Sequence, residues 1–246
     1  MPENTLRIAT AGWSIPREVR DQFPEDGSGL QRYAAVFSGV EINSTFYRPH
    51  RPSTFTRWAK TTPDEFRFAV KLSKAITHEA RLVGCEAPLV AFRGQTAALG
   101  NKLGPLLIQL PPTLTFDAPV AERFFARLRE IWPEAAACEP RHRSWFEAGA
   151  DAMLRAFRVA RIAADPQPDP RAAIPGGWPE LAYWRLHGSP RMYYSAYGPA
   201  YLAALKARMA DSPASQTWCV FDNTTSGAAA ANALSLLRAV GGQDEA

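Results

Sequence analysis

The sequence predicts an α/β chain folded as a single (β/α)8, or TIM, barrel domain over residues 1–246. Three observations predict it. Strand-like and helix-like segments alternate eight times in 246 residues, close to the ~250 residues that such barrels use. Polar residues recur near the C-terminal ends of nearly all the strand segments. No Gly-x-Gly-x-x-Gly follows the first of them, and polar residues do not gather at a single switch point, so a doubly wound open sheet is the weaker alternative.

The elements follow in order. LRIATAGW (6–13) is a first strand, and GLQRYAAVF (29–37) a helix with Leu30, Tyr33, Ala34 and Phe37 on one face. GVEINSTFY (39–47) is the second strand, rich in β-branched and aromatic residues. PSTFTRWAKTT (52–62) is a helix opened by Pro52, FRFAVKLSK (66–74) the third strand, and APLVAFRGQTAAL (87–99) the third helix. LGPLLIQL (103–110) is a strand stopped by Pro111 and Pro112. The amphipathic helix 118–132 then places Val120, Phe124, Phe125, Leu128 and Ile131 on one face. EAAACEPRH (134–142) is a fifth strand of weak propensity, followed by a helix over 149–160 and a sixth strand, RIAADP (161–166). QPDPRAAIPGGWPE (167–180) is too rich in Pro and Gly for an ordinary helix, so the unit after the sixth strand is irregular. AYWRLHG (182–188), a helix over 197–210, QTWCVFDNT (216–224) and a helix over 226–240, with Ser226 as a candidate N-cap, complete the chain.

Composition sets the limits. A hydrophobic content of 46% supports one sizeable core. No apolar run approaches the ~20 residues a spanning helix needs, and no signal-peptide pattern opens the chain, so no membrane partner is expected. Cys85, Cys138 and Cys219 are odd in number and widely spaced, which predicts neither disulfides nor a Cys-x-x-Cys metal pair but a reduced, cytoplasmic protein. A net charge of +4 permits an anionic ligand without demanding nucleic acid.

The second strand raises the functional question. Glu41 and Asn43 share one face of a segment that otherwise belongs in a core. At the C-terminal end of a barrel strand, inward side chains line the mouth where barrel enzymes place their chemistry, and the pair then makes sense. The same parity on the other strands adds Lys71, Gln109, Glu139, Arg141, Asp165, Arg185, His187 and Asn223, with Asp222 on the opposite face. Isolated buried charges would each cost several kcal/mol, so balanced signs make the set tolerable.

The chain also resembles the YecE-like proteins, catalogued as domain of unknown function 72. The resemblance rests on AGWS (11–14), FSGVEINSTFY (37–47), TPDEFRFAVKLSKAITH (62–78), LGPLLIQLPPTL (103–114), CEPRHRSWF (138–146), YWRLHG (183–188) and Phe-Asp-Asn-Thr (221–224), and it covers nearly the whole sequence. It implies a TIM barrel and supplies no reaction. Members often carry paired asparagines at the end of the eighth strand, where this chain has Asp222 and Asn223, so the resemblance assigns Asp222 no shared role.

The residues suggest an enzyme acting on a polar, anionic small molecule, such as a phosphorylated sugar or a nucleotide-like compound. Glu41, Lys71, Glu139 and His187 are the candidate acid/base groups, with Glu41 and Lys71 on neighbouring strands as the expected pair. Trp13, Asn43, Tyr47, Gln109, Arg141, Asp165, Arg185 and Asn223 are candidate substrate contacts, Arg141 and Arg185 as clamps. An anion cradle is expected from Gly188, Ser189 and Arg191 after the seventh strand and from Thr224, Ser226 and Gly227 at the start of the last helix. Glu41, Glu139, Asp165 and His187 would suit a divalent metal, but Lys71, Arg141 and Arg185 beside them repel a bare dication. No metal or cofactor is therefore expected. Two alternatives stand beside this reading. One is a barrel that binds or processes nucleic acid, using an Arg/aromatic rim of Arg48, Arg51, Arg143 and Arg191 with Phe46, Trp145, Tyr193 and Tyr194. The other is a non-catalytic ligand- or partner-binding protein. Thr77 and His78 follow the third strand on a loop whose direction the sequence leaves open.

Overall fold

The computed structural model describes residues 5–242. The fold is mixed α/β, built from parallel strands alternating with helices. The strands are β1 (Thr5–Thr10), β2 (Gly39–Ile42), β3 (Arg67–Lys71), β4 (Leu103–Gln109), β5 (Ala136–Glu139), β6 (Val159–Arg161), β7 (Ala163–Asp165), β8 (Gly176–Gly177), β9 (Leu181–Leu186) and β10 (Gln216–Phe221). The helices are α1 (Gly29–Ala34), α2 (Ser44–Tyr47), α3 (Pro52–Lys60), α4 (Glu86–Thr96), α5 (Ala118–Ile131), α6 (Ala148–Ala156), α7 (Pro199–Ala210) and α8 (Ala228–Val240).

Local chemistry explains the helix starts. Ser28 and Gln31 form a reciprocal capping box on α1, and the Asp117 carboxylate accepts from the Val120 amide at the start of α5. Proline occupies the first turn of α3, α5 and α7, where its missing N–H costs nothing.

The strands lie in two sheets, ordered β1-β10-β9-β7 and β2-β3-β4-β5-β6-β8, rather than one continuous ring. Every pairing is parallel except β6 with the two-residue β8. The sheets approach at two places. Ala11 bridges Glu41 in parallel, and the Gly12 amide donates to the Glu41 carbonyl at 2.8 Å. The other meeting is covalent: the chain runs from β6 to β7 through Ile162, pairing with β5 before it and β9 after it.

Two apolar regions sandwich the strands. The smaller, inside the strands, consists mainly of Ala9, Ala69, Ala137 and Ala160 around Leu107, Tyr183, Trp218 and Val220. Trp218 fills its N-terminal end, stacked on Tyr183 with ring centres 6.1 Å apart. Gly39 and Gly104 make room for it, since a Cβ at either would stand 3.1 Å from the indole. The larger region lies between strands and helices and includes Phe37, Phe55, Phe68, Phe125 and Leu236.

Several expected elements change at their edges. The second strand ends at Ile42: Asn43 takes helical angles, and Ser44–Tyr47 coil into α2. The sixth strand begins earlier than expected, at Val159, and is broken at Ile162. The Pro/Gly-rich segment does replace a helix, with a 3-10 turn (Pro170–Ala173) and the short β8. Ser226 does not cap α8; Gly227 holds that position at φ +82 without a side-chain cap, and Ser226 Oγ donates to the Tyr194 carbonyl. Among the described residues, no helix is long and apolar enough to cross a membrane, and all three cysteines are free and buried.

Candidate active site

The inner residues at the strand C-termini form one ionic cluster centred on Arg185, which has no solvent exposure. Its Nη2 lies 2.7 Å from Glu41 Oε1 and 3.0 Å from Asp222 Oδ2, and its Nη1 lies 3.1 Å from Glu139 Oε2. Glu41 also accepts from Tyr183 Oη at 2.9 Å. Glu139 further accepts from Gln109 Nε2 at 3.0 Å and from Arg141 Nε at 3.2 Å. Asn43 Nδ2 donates to Asp222 Oδ1 at 3.2 Å.

His187 sits between two carboxylates. Its Nε2 is 2.9 Å from Glu139 Oε1 and its Nδ1 is 3.0 Å from Asp222 Oδ2. Only the doubly protonated ring can donate to both. Burial opposes that charge, but Glu139 and Asp222 outweigh it and hold the imidazole above its ordinary pKa. Glu139 falls well below the carboxylate range: burial would raise it, but His187, Arg185 and Arg141 prevail. Asp222 is lowered likewise, against its burial, by Arg185 and His187. Each ion stabilises the charged form of its neighbours, so Glu139 and His187 are poor bases at neutral pH.

Lys71 differs. It is 6% exposed, yet among the described residues its Nζ meets neither a carboxylate at ion-pair distance nor a hydrogen-bond acceptor; it stands 4.2 Å over the Phe46 ring. The expected Glu41–Lys71 pair does not form, because Arg185 and Tyr183 already occupy the Glu41 carboxylate. Burial, followed by repulsion from Arg185, pulls the Lys71 amine down to about 8. The local fold fixes its place: Thr45 Oγ1 donates to the Lys71 carbonyl at 2.7 Å, tying α2 to β3 and bringing Phe46 beneath the ammonium.

His78 completes this side. It lies on a π-helical turn (Ala75–Glu79), packed edge-on against the same Phe46 ring at 5.0 Å. Its Nδ1 is 2.8 Å from Thr77 Oγ1, and its Nε2 has no partner among the described residues. Burial, Lys71 and Arg141 all lower its pKa, which favours the neutral base.

A cleft of about 290 Å3 opens above the cluster, lined by Glu139, Arg141, His187, Ala164, Pro112, Met192 and the 166–168 loop. Among the described residues Arg141 Nη1 has no partner, while its Nη2 reaches the Tyr193 hydroxyl at 3.4 Å. Arg141, Arg185 and His187 thus share the carboxylates of Glu41, Glu139 and Asp222, and Lys71 stands beside them as a fourth cation without an ion-pair partner among the described residues, so the cations outnumber the carboxylates by one.

The structure therefore assembles Glu41, Asn43, Lys71, Gln109, Glu139, Arg141, Arg185 and His187 as the alternation of the strands predicts. Other expectations need correcting. Asp165 faces outward: the break at Ile162 puts Ala160, Ile162 and Ala164 on the inner side, and Asp165 Oδ1 accepts from Tyr197 Oη at 2.9 Å. The parity expected at the end of the last strand, β10, is also reversed. Asp222 joins the cluster, while Asn223 turns out toward the Ser195 carbonyl and Asn232.

The expected anion cradle is closed on itself. The Gly188 amide donates to Tyr197 Oη, that of Arg191 to Ser195 Oγ and that of Gly227 to the Thr224 carbonyl. The Arg191 guanidinium lies over the Tyr194 ring at 3.8 Å, and Ser189 and Thr224 are exposed. Trp13 packs edge-on against Trp58, Tyr47 is 70% exposed, and Trp145 is a core residue whose Nε1 donates to the Leu114 carbonyl. Asp222, His78 and Tyr193 are the site residues that the strand pattern did not select. Tyr193 lies on a loop and His78 on a π-helical turn, and neither segment carries a periodic signal of direction. Among the described residues no group of three or more His, Cys, Asp or Glu side chains is arranged to hold a metal ion.

Comparison with known proteins gives this arrangement a family. The family model described as "Protein of unknown function DUF72" matches residues 7–246. The UPF0759 protein YecE of Escherichia coli strain K12 is 35% identical over 108 residues, 44% of this chain and 38% of that protein. The UPF0759 protein YunF of Bacillus subtilis is 27% identical over 149 residues, 57% of this chain and 52% of that protein. The chain thus spans about half or less of the length of these curated relatives. Among solved structures, a DUF72 family protein of Thermotoga maritima superposes with a TM-score of 0.79 at 26% identity, covering 96% of this chain and 99% of that one. A DUF72 family protein of Enterococcus faecalis gives 0.80 at 20% identity, covering 98% and 99%, a likeness of fold.

Proposed function

The chain belongs to the DUF72 family of proteins of unknown function, and we propose that it is an enzyme acting on a small, polar, anionic molecule by acid/base chemistry at the C-terminal ends of its strands. In this reading the two sheets close as a (β/α)8 barrel in one domain, with the Ala11–Glu41 bridge as one seam and the chain through Ile162 as the other. The three free, buried cysteines fit a reducing, cytoplasmic setting.

Lys71 carries the proposal. A buried ammonium without a carboxylate partner costs stability, and such groups concentrate where chemistry needs them. Lys71, whose amine is pulled down to about 8 by burial, and His78, whose imidazole is held below its ordinary value by burial, Lys71 and Arg141, are the acid/base pair; Glu41, Glu139, Asp222, Arg185 and His187 form the charged frame that orients them. Arg141, with a free Nη1 in the cleft, supplies a fork for a carboxylate or phosphate, and the missing negative charge is the ligand's. The test is metabolite depletion. Wild-type protein, Lys71→Met and His78→Gln are each incubated with a small-molecule extract, which is then compared by mass spectrometry. Loss of an anionic compound with wild type but neither variant supports the proposal; identical extracts from all three overturn it.

A nucleic-acid reading draws on one observation, the exposed stretch Tyr47, Arg48 and Arg51 beside the mouth. Salt-dependent binding of single-stranded DNA, weakened by Arg48→Ala, would support it.

A further inference from the structure

The surroundings of Lys71 narrow the chemistry further. Lys102 provides an internal comparison. It too is 6% exposed, but its Nζ donates to the Ala59 and Thr62 carbonyls at 2.7 and 2.6 Å and faces Asp64 at 3.7 Å. That is how this chain buries a lysine whose task is structural. Among the described residues Lys71 Nζ has no such hydrogen-bond or ion-pair partner, and it rests on the face of Phe46. A proton-transfer base needs only a lone pair; an amine left without acceptors, held on a rigid strand end and partly desolvated, is also equipped to attack a carbon.

We propose that the Lys71 Nζ forms an imine with the carbonyl carbon of a small anionic aldehyde or ketone whose carboxylate or phosphate is bound by Arg141. The proposal rests on the reading of the mouth as a catalytic site. Its geometry comes from three features, each atom without a partner among the described residues: the Nζ over Phe46, the Nε2 of the His78 ring on the edge of that same phenyl group, and the Nη1 of Arg141. Reduced affinity for its proton, about 8 rather than the usual lysine value, leaves a useful share of Lys71 as free amine at neutral pH.

The step balances as follows. The Lys71 lone pair forms the C–N bond while the carbonyl π electrons move to oxygen. His78 Nε2 takes one proton from the resulting ammonium nitrogen, and the alkoxide takes one from solvent. The His78 imidazolium then returns its proton to the carbinol hydroxyl, the C–O bond breaks, and water leaves as the C=N bond forms. The product is a protonated imine plus water, with one proton consumed and no change in oxidation state. The protonated imine withdraws electrons from the adjacent carbon, which suits breaking a bond there: proton exchange, decarboxylation or carbon–carbon cleavage. Arg141 at the anionic end would set which adjacent bond faces His78.

Reductive trapping tests this. Glyoxylate, the smallest anionic aldehyde, is added with cyanoborohydride, and carboxymethylated lysines are located by peptide mapping. Lys71 should be modified about tenfold faster than the exposed Lys60 and Lys74, since the greater share of free amine outweighs the lower nucleophilicity of a less basic one. Lys71→Arg, which keeps the charge but lacks a primary amine, should lose the fast adduct while retaining the wild-type circular dichroism spectrum. Arg141→Gln should slow trapping of glyoxylate but not of neutral propionaldehyde, and His78→Gln should slow both. Trapping at Lys71 no faster than at Lys60, or an Arg141→Gln variant that treats the two aldehydes alike, overturns the imine. Metabolite depletion that requires Lys71 without any trapped adduct overturns the imine while leaving the acid/base function standing; no depletion and no adduct overturns both.

Discussion

Arg185 Nη2 stands 2.7 Å from Glu41 Oε1, and neither side chain is exposed to solvent. The strand that carries Glu41 therefore holds a carboxylate because the strand across the mouth delivers a guanidinium to it. Arg185 also meets Glu139 and Asp222. Removing the hub leaves three buried carboxylates short of a partner, whereas removing Glu41 leaves Arg185 with two.

The expected outcome is asymmetric. Arg185→Met should cost at least the ~3–5 kcal/mol typical of breaking a buried ion pair, and Glu41→Gln should cost less. Urea unfolding of both variants measures the difference. Equal losses would show that the Arg185–Glu41 pair alone, and not Arg185 as a hub, stabilises the cluster.

Lys71 should behave in the opposite sense. Its folded pKa of about 8 lies below the unfolded value, so the folded state sheds this proton first as pH rises. Stability gains from this group should therefore appear between about pH 8 and 10.4, and at pH 7 the charged amine is a cost. Lys71→Met should stabilise the protein at pH 7 by ~1–3 kcal/mol and flatten that alkaline rise. Thermal unfolding at pH 7 and pH 9.5 reports both effects; a variant less stable than wild type at pH 7 would show that the ammonium is satisfied in the fold.

The frame has its own pH signature. His187 is raised in the folded state, so its contribution is complete below about pH 6.5 and is lost as pH climbs through the raised value. Glu139 and Asp222 are depressed, so theirs is complete above about pH 4.5 and is lost as pH falls through the lowered values. The cluster should stabilise most between those limits. Asp222→Asn removes one of the two carboxylates on His187, so its imidazole should titrate lower, with a stability loss of ~1–3 kcal/mol at pH 6. NMR of the His187 ring carbons follows this directly. A wild-type His187 titrating below 6.5 would contradict the clamped imidazolium.

Alternation along strands was enough to collect Glu41, Lys71, Glu139, Arg141, Arg185 and His187 at one end, because side chains in a strand point to alternate faces and parallel strands share an end. The rule failed where strands stopped being regular. At Ile162 the chain changes partner from β5 to β9, which turned Asp165 outward, and on the eighth strand Asp222, not Asn223, faces the cluster. His78 was beyond the rule because a π-helical turn directs it, and that turn carries no periodic signal in the sequence.

The sequence by itself determined the alternation of strands and helices, the apolar inner and outer faces, and the set of charged residues at one end. Each of these follows from local propensity and the two-residue period of a strand. Only the tertiary structure decided how those charges divide. Arg185 reaches three carboxylates at the ends of three different strands, and Lys71 is left with Phe46 among the described residues. Which cation receives a partner is a matter of distances of a few ångströms between segments far apart in the chain, and Coulomb energy in a desolvated site depends steeply on such distances.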